Sequence, residues 1–154
     1  MATEIERKFL ACSDHWKTLA DSTSLFKQAY LNSTPERTVR VRITDKQAYI
    51  TIKSINAGIR RQEFEYAIPV EDAEQLLLLC ETPPLEKIRH TIRHGHHLWE
   101  VDEFLGINQG LVLAEIELLS EDEQFSMPSW LGMEVSADPR YFNSYLSNHP
   151  YTSW

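Results

Sequence analysis

Six pairs of like-charged residues stand two positions apart along the chain: Glu4/Glu6, Arg40/Arg42, Glu63/Glu65, Lys87/Arg89, Glu100/Asp102 and Glu115/Glu117. In an extended strand such residues share a face and lie roughly 6.5–7 Å apart. Like charges at that distance repel, so each strand needs a reason to carry them. Two kinds of ligand supply one. Clustered guanidinium and ammonium groups suit a compact polyanion, and the arginine fork matches phosphate geometry. Clustered carboxylates suit a hard divalent cation that takes oxygen ligands, most simply Mg2+ or Mn2+. A polyanion beside a carboxylate-bound cation is the arrangement of phosphoryl or nucleotidyl transfer.

The elements that must position these groups are strands. Period-2 alternation runs through residues 3–10, 37–44, 47–54, 61–68, 86–93, 98–105 and 112–119, with a further strand at 25–31. Asp45-Lys46 and His94-Gly95-His96 separate adjacent runs and read as tight hairpins, so antiparallel order is expected. On one face lie the bases Lys8, Arg40, Arg42, Lys53, Arg61, Lys87 and Arg89. The same face carries the acids Glu4, Glu6, Glu63, Glu65, Glu100, Asp102, Glu115 and Glu117. The other face is apolar, with Ile5, Phe9, Val41, Ile50, Trp99 and Ile116.

Helical stretches fall between and after the strands. Ser13 can cap a short helix carrying Trp16, Leu19 and Ala20. Residues 71–80 present Ala73, Leu76, Leu77 and Cys80 on one side. Ser120-Glu121-Asp122-Glu123 reads as a capping box, and Asp138-Pro139 as a cap ahead of Tyr141, Phe142, Tyr145 and Leu146. Apolar helix stripes need an apolar surface to cover, and the apolar strand faces provide it. If helices cover the outside, the charged faces turn inward, and about eight antiparallel strands can close into a barrel. The expected fold is therefore α+β, mostly β: one domain over residues 1–154, a closed eight-stranded antiparallel barrel with a charged lumen and helices packed outside.

Composition narrows the partners. The 154 residues carry 23 acids and 15 bases, a net charge of -8, which disfavours nucleic acid and anionic membrane as partners. The five glycines form no phosphate-cradling motif, so any phosphate site must be built from side chains. Cys12 and Cys80 are far apart and fit a reducing compartment, and the N-terminus is too charged for a signal-peptide apolar region. A cytoplasmic protein is expected, with homodimerisation left open. His94, His96 and His97 flank a glycine turn with no carboxylate or thiol to complete a metal set, so a solvated hairpin is expected there. The aromatic tail from His149 to Trp154 either covers one tunnel mouth or frays.

Glu4-Ile5-Glu6-Arg7-Lys8 resembles the E-x-E-x-K signature of the CYTH superfamily, the triphosphate tunnel metalloenzymes. Arg40-Val41-Arg42, Thr51-Ile52-Lys53, Arg61-Gln62-Glu63-Phe64-Glu65, Lys87-Ile88-Arg89 and Glu115-Ile116-Glu117 follow in matching order. Gly132-Met133-Glu134-Val135, then Asp138, Tyr141 and Asn143, resembles the short bacterial members. The resemblance covers nearly the whole chain. It implies a closed tunnel that hydrolyses inorganic triphosphate to pyrophosphate and phosphate with Mg2+ or Mn2+, by in-line attack of a metal-activated water. It further implies that Lys8, Arg40, Arg42, Lys53, Arg61, Lys87 and Arg89 grip the phosphates. Glu4, Glu6, Glu115 and Glu117 would hold the first metal. Glu63 and Glu65, with Asp102, would hold a second or orient the water, placing Lys8, Glu63 and Glu65 at the catalytic step.

Tyr30 and Gln28 share the charged face and are further candidates for contact with substrate. Glu100 and Asp102 are equally well read as counter-charges for the arginines. Three other functions stay open. The family also implies organic triphosphates as substrates, as for class IV adenylyl cyclase or thiamine triphosphatase. A polyphosphate-binding module without turnover is another reading, although a mere anion binder gains nothing from acids in its site. The last is a sandwich whose charge pairs only meet solvent.

Overall fold

The computed structural model describes residues 2–154. Among the described residues nine strands form, with one helix of more than four residues. In chain order they are β1 (Thr3–Ala11), β2 (Ser22–Asn32), β3 (Arg37–Thr44), β4 (Gln47–Ser54) and β5 (Arg60–Ile68). Helix α1 (Val70–Leu78) then precedes β6 (Leu85–His94), β7 (His97–Phe104), β8 (Val112–Glu117) and β9 (Leu131–Glu134). A short α2 (Asn143–Leu146) lies near the C-terminus.

The sheet order is β5-β4-β3-β2-β6-β7-β8-β1, and β5 pairs back onto β1, so eight antiparallel strands close into a barrel. The two-residue turns form as the sequence requires. Thr44 pairs with Gln47 and His94 with His97, with Asp45 and Gly95 at positive φ. Strand β1 is the closing element. Its Thr3, Glu4 and Ile5 pair with β5, while Glu6 to Leu10 pair with β8 on the other side. Further along, Phe9 and Ala11 take up β9 across an irregularity in register.

Apolar side chains point outward and must be covered. Helix α1 covers one sector, setting Ala73 and Leu77 against Ala29, Val41 and Ala48. A second sector, around Ile5, Phe9, Trp99, Val101 and Ile116, is covered by Trp16 and by Trp130 and Phe125 of the long stretch after β8. Trp99 is fully buried and packs edge-on against Phe9, Phe125 and Trp130. A third cluster joins Leu85, Phe104 and Leu113 to Tyr141 and Leu146. Leu85, Phe104 and Leu113 share the parity of Lys87, Asp102 and Glu115, so this cluster fills one end of the lumen, and the C-terminal segment seals it there.

The count of eight barrel strands from alternation holds, and the ninth strand is an addition. Strand β9 has four residues, too few for a periodicity to register, and it forms because β1 offers it a free edge. The Ser120–Glu123 capping box opens no helix. Glu123 instead accepts from the Leu119 N–H at 2.6 Å and contacts the His97 imidazole, and the chain continues without regular secondary structure toward Pro128. The segment after Asp138 is split. Asp138 caps a single 3-10 turn by accepting from Arg140 N–H, and Phe142 at φ -73, ψ 136 then breaks the helix before α2. Ser13 likewise precedes only a 3-10 turn, His15–Thr18, which buries Trp16. His94 contacts Ser126 and His97 contacts Glu123, so the histidines tie the long stretch down. No helix among the described residues is long and apolar enough to cross a membrane.

Gly132 is where β9 crosses β1. A Cβ there would sit 2.9 Å from Leu10 O and 3.2 Å from Cys12 N, which are backbone atoms that cannot rotate away. A Gly132→Ala variant should push β9 off β1 and lower stability by about 1–3 kcal/mol in urea unfolding. Unchanged stability would show that this contact does not hold the closing strand.

Candidate functional site: a charged barrel lumen

Inward parity brings the charged residues together in one cavity of about 160 Å³. All seven bases line it: Lys8, Arg40, Arg42, Lys53, Arg61, Lys87 and Arg89. So do the acids Glu4, Glu6, Glu63, Glu65, Glu115 and Glu117, with Glu100. Asp102 does not. Its carboxylate, on the inner face but fully buried, lies 2.8 and 2.9 Å from the Arg89 guanidinium and 2.7 Å from Lys87 Nζ. These contacts fit the counter-charge reading of Asp102, and the metal reading would require it to leave them.

The strands hold these groups through cross-strand pairs. Arg40 lies opposite Thr51, and Thr51 opposite Glu65. The Thr51 hydroxyl accepts from Arg40 at 3.1 Å and donates to Glu65 at 2.8 Å, which orients both charges. Lys53 Nζ bridges Glu4 at 3.1 Å and Glu63 at 3.3 Å, across the β1–β5 closure. Arg61, opposite Glu4, reaches it at 3.5 Å. Lys8 Nζ stands 3.8 Å from Glu115, and Arg89 also meets Glu100 and Glu115, each at 3.1 Å.

Titration behaviour sorts the lumen into two poles. At one pole charge compensation is thin: Lys87 shares Asp102 with Arg89, and Arg42 donates to the neutral Gln28. Burial pushes the Lys87 ammonium down to about 7, with Arg89 and Arg42 adding to the fall and Asp102 opposing it. Burial likewise lowers Arg42 to about 9, reinforced by the charges of Arg40 and Arg89. Arg40 Nε is buried with no acceptor. Such a set favours an anion, because a polyanion supplies the charge and acceptors that these groups lack.

At the other pole the acids are short of cations. Burial raises Glu6 well above the usual carboxylate range, and the neighbouring Glu115 charge raises it further. Burial also raises Glu117, with Glu4, Glu63 and Glu100 repelling its charge. Glu115 goes the other way: burial opposes its ionisation, but Lys8 and Arg89 hold it ionised. Glu4 is also held ionised against burial, by Lys53 and Arg61. Its Oε2 faces those charges but accepts no aligned hydrogen bond. The Glu6 and Glu115 carboxyls and the unsatisfied Glu4 oxygen could offer a hard cation its oxygen donors, Glu6 giving up its proton to do so. Among the described residues no three acidic, imidazole or thiol groups already stand at ligand spacing for one ion.

The cavity contains residues beyond the charge pairs. Thr38 and Thr51 line it, and both share the parity of their neighbouring bases, so alternation could have supplied them. Tyr30 lines it as its parity suggests. Phe142, Asn143 and Ser144 also line it, and no strand pattern could have placed them there. Beside the mouth lies a second, largely apolar cavity of about 380 Å³, which shares Thr38, Arg61, Phe142 and Ser144 with the first.

The CYTH domain family matches residues 2–142. A relative named inorganic triphosphatase, from Acetivibrio thermocellus, is 46% identical over 155 residues, covering 100% of this chain and 99% of its own. Another of that name, from Nitrosomonas europaea, is 37% identical and covers 94% of this chain and 97% of its own. A crystal structure described as that of an inorganic triphosphatase superposes with a TM-score of 0.65 at 35% identity, covering 96% of this chain and 95% of the other. A Pyrococcus furiosus protein at 21% identity shares the fold, with a TM-score of 0.59 over 77% of this chain and 80% of its own.

Asp102 is 0% exposed and holds two cations, so removing its charge should be costly whether or not a ligand is present. Asp102→Asn should lose about 3–5 kcal/mol in urea unfolding measured with chelator present. Stability equal to the unsubstituted protein would contradict its role as internal counter-charge.

Proposed function

The chain belongs to the CYTH domain family, and on that premise we propose that it is a metal-dependent hydrolase of inorganic triphosphate. The observation that carries the reading is the pairing of two poles in one cavity, bases short of anions beside acids short of cations. The inorganic triphosphatase name of the 46% identical relative supports it.

In this reading Lys8, Arg40, Arg42, Lys53, Arg61, Lys87 and Arg89 bind the phosphate oxygens. Glu4, Glu6, Glu115 and Glu117 would hold one Mg2+ or Mn2+, and Glu63 and Glu65 would hold a second or orient the attacking water. The ion supplies positive charge against the substrate oxygens and lowers the proton affinity of water. Water adds in line to a terminal phosphorus as its bridging P–O bond breaks, and pyrophosphate leaves. In this reading Glu65, which accepts a hydrogen bond from Thr51, takes the water's proton. Arg42 and Lys87, already wanting an anion, neutralise charge building on the leaving pyrophosphate. Asp102 pairs with Arg89 and Lys87 and holds both in place. The working unit is one domain over residues 1–154, and its free thiols, Cys12 exposed and Cys80 partly so, suit the cytoplasm.

A second reading, an organic triphosphate as substrate, is favoured by the apolar cavity adjoining the mouth, which could take a base or ring attached to the phosphates. The two readings separate in one assay, with tripolyphosphate, ATP and thiamine triphosphate each given with Mg2+, Mn2+ or chelator. Phosphate release from tripolyphosphate alone, lost with chelator, is the expected outcome. Cyclic AMP formed from ATP, or preferred turnover of thiamine triphosphate, would overturn it, and silence on all three would favour a binding module. Glu117→Ala should abolish the metal-dependent turnover and leave the circular dichroism spectrum unchanged. Full activity in that variant would remove Glu117 from the metal set.

A further inference from the structure

The C-terminal segment reaches into the lumen and ends hydrogen bonds on its bases. Asn143 Oδ1 accepts from Lys87 Nζ at 2.9 Å and from Gln28 Nε2 at 3.0 Å. Gln28, fully buried on β2, accepts in turn from Arg42 Nε at 2.8 Å. One amide oxygen thus fixes Lys87 directly and Arg42 through one intermediate. The adjacent Tyr141 carbonyl accepts from Lys8 Nζ at 3.2 Å. Phe142, extended between two helical turns, is what turns Asn143 inward.

We infer that Asn143 is a positioning residue, presetting Lys87 and Arg42 through a relay with Gln28 for the phosphate chain. The inference rests on the reading of those two bases as phosphate-gripping. Long cationic side chains lose rotamer freedom when they close on an anion. A base already held in place loses less, so preorganisation strengthens capture of the substrate. Lys87 and Arg42 gain most from this. They are the two lumen bases whose proton affinity is lowered overall, burial being the largest cause, and Lys87 already has one carboxylate, Asp102, at 2.7 Å, so a further one would cancel charge that attracts the anion. A neutral amide orders them and leaves their charge intact.

A role confined to pinning the C-terminal segment would act on stability and independently of Gln28. The relay makes a different demand: the effects of Asn143 and Gln28 must overlap. The test is steady-state hydrolysis of tripolyphosphate with Mg2+ by the full chain, Asn143→Ala, Gln28→Met (which keeps the buried volume) and the double variant, with thermal unfolding of each. Each single substitution should raise KM about tenfold and change kcat less than about threefold. The double should lie within about threefold of the worse single, because both interrupt one relay.

An Asn143→Ala enzyme with unaltered KM would overturn the inference, as would KM effects that multiply to about 100-fold. If Asn143→Ala does not fold, Gln28→Met decides alone, and an unaltered KM there overturns the relay. An unsubstituted protein that neither hydrolyses tripolyphosphate nor binds it in calorimetry with chelator would overturn the functional reading, and the relay with it. An active unsubstituted enzyme with unaffected variants would overturn the relay only.

Discussion

Every other feature follows from a barrel turned inside out with respect to polarity. Like charges two residues apart on one strand repel, and a closed lumen prevents them from escaping into bulk water. They persist because neighbouring strands bring the opposite sign: Lys53 between Glu4 and Glu63, Arg89 against Asp102, Glu100 and Glu115. Compensation inside is incomplete by design of the parity, with unmet anion demand around Arg42 and Lys87 and unmet cation demand around Glu6 and Glu117. Outside, the same alternation exposes apolar faces that must be covered, which is the task of α1, Trp16 and the stretch carrying Phe125 and Trp130.

The lumen was legible because strand parity is a strict code. A residue two places from Arg40 shares its face, so the doublets disclosed inside and outside together. The closing register was not legible. Nothing local to Glu4 or Arg61 says that they face each other across the β1–β5 seam. Asp102 shows a further limit of parity. It shares the face of Glu100, but its short side chain is captured by Arg89 and Lys87 before it can reach the cavity.

The outer cover and the C-terminal segment were harder to read because their structure is set by tertiary contact. Ser120 to Glu123 has the composition of a helix start, yet His97 and the Leu119 N–H claim the Glu123 carboxylate, and Trp130 is drawn to the Trp99 cluster. Tyr141, Phe142, Tyr145 and Leu146 have helical spacing, but the segment splits so that Tyr141 and Leu146 seal the barrel end and Phe142 and Asn143 enter the lumen. The tail thus does two jobs that a continuous helix could not do together: it supplies apolar closure and a polar contact to the bases.

The central claim is that the lumen holds an acid pole waiting for a cation beside a base pole waiting for a polyanion. Proton release on Mn2+ binding tests it most directly. The experiment is calorimetry in buffers of different ionisation enthalpy, at a pH just above the ordinary carboxylate range. Glu6 remains protonated there because burial and the Glu115 charge raise it. Binding of Mn2+ should expel about one proton, and the Glu6→Gln variant should release none. Binding of Mn2+ with no proton released, or release unchanged by Glu6→Gln, would contradict the account.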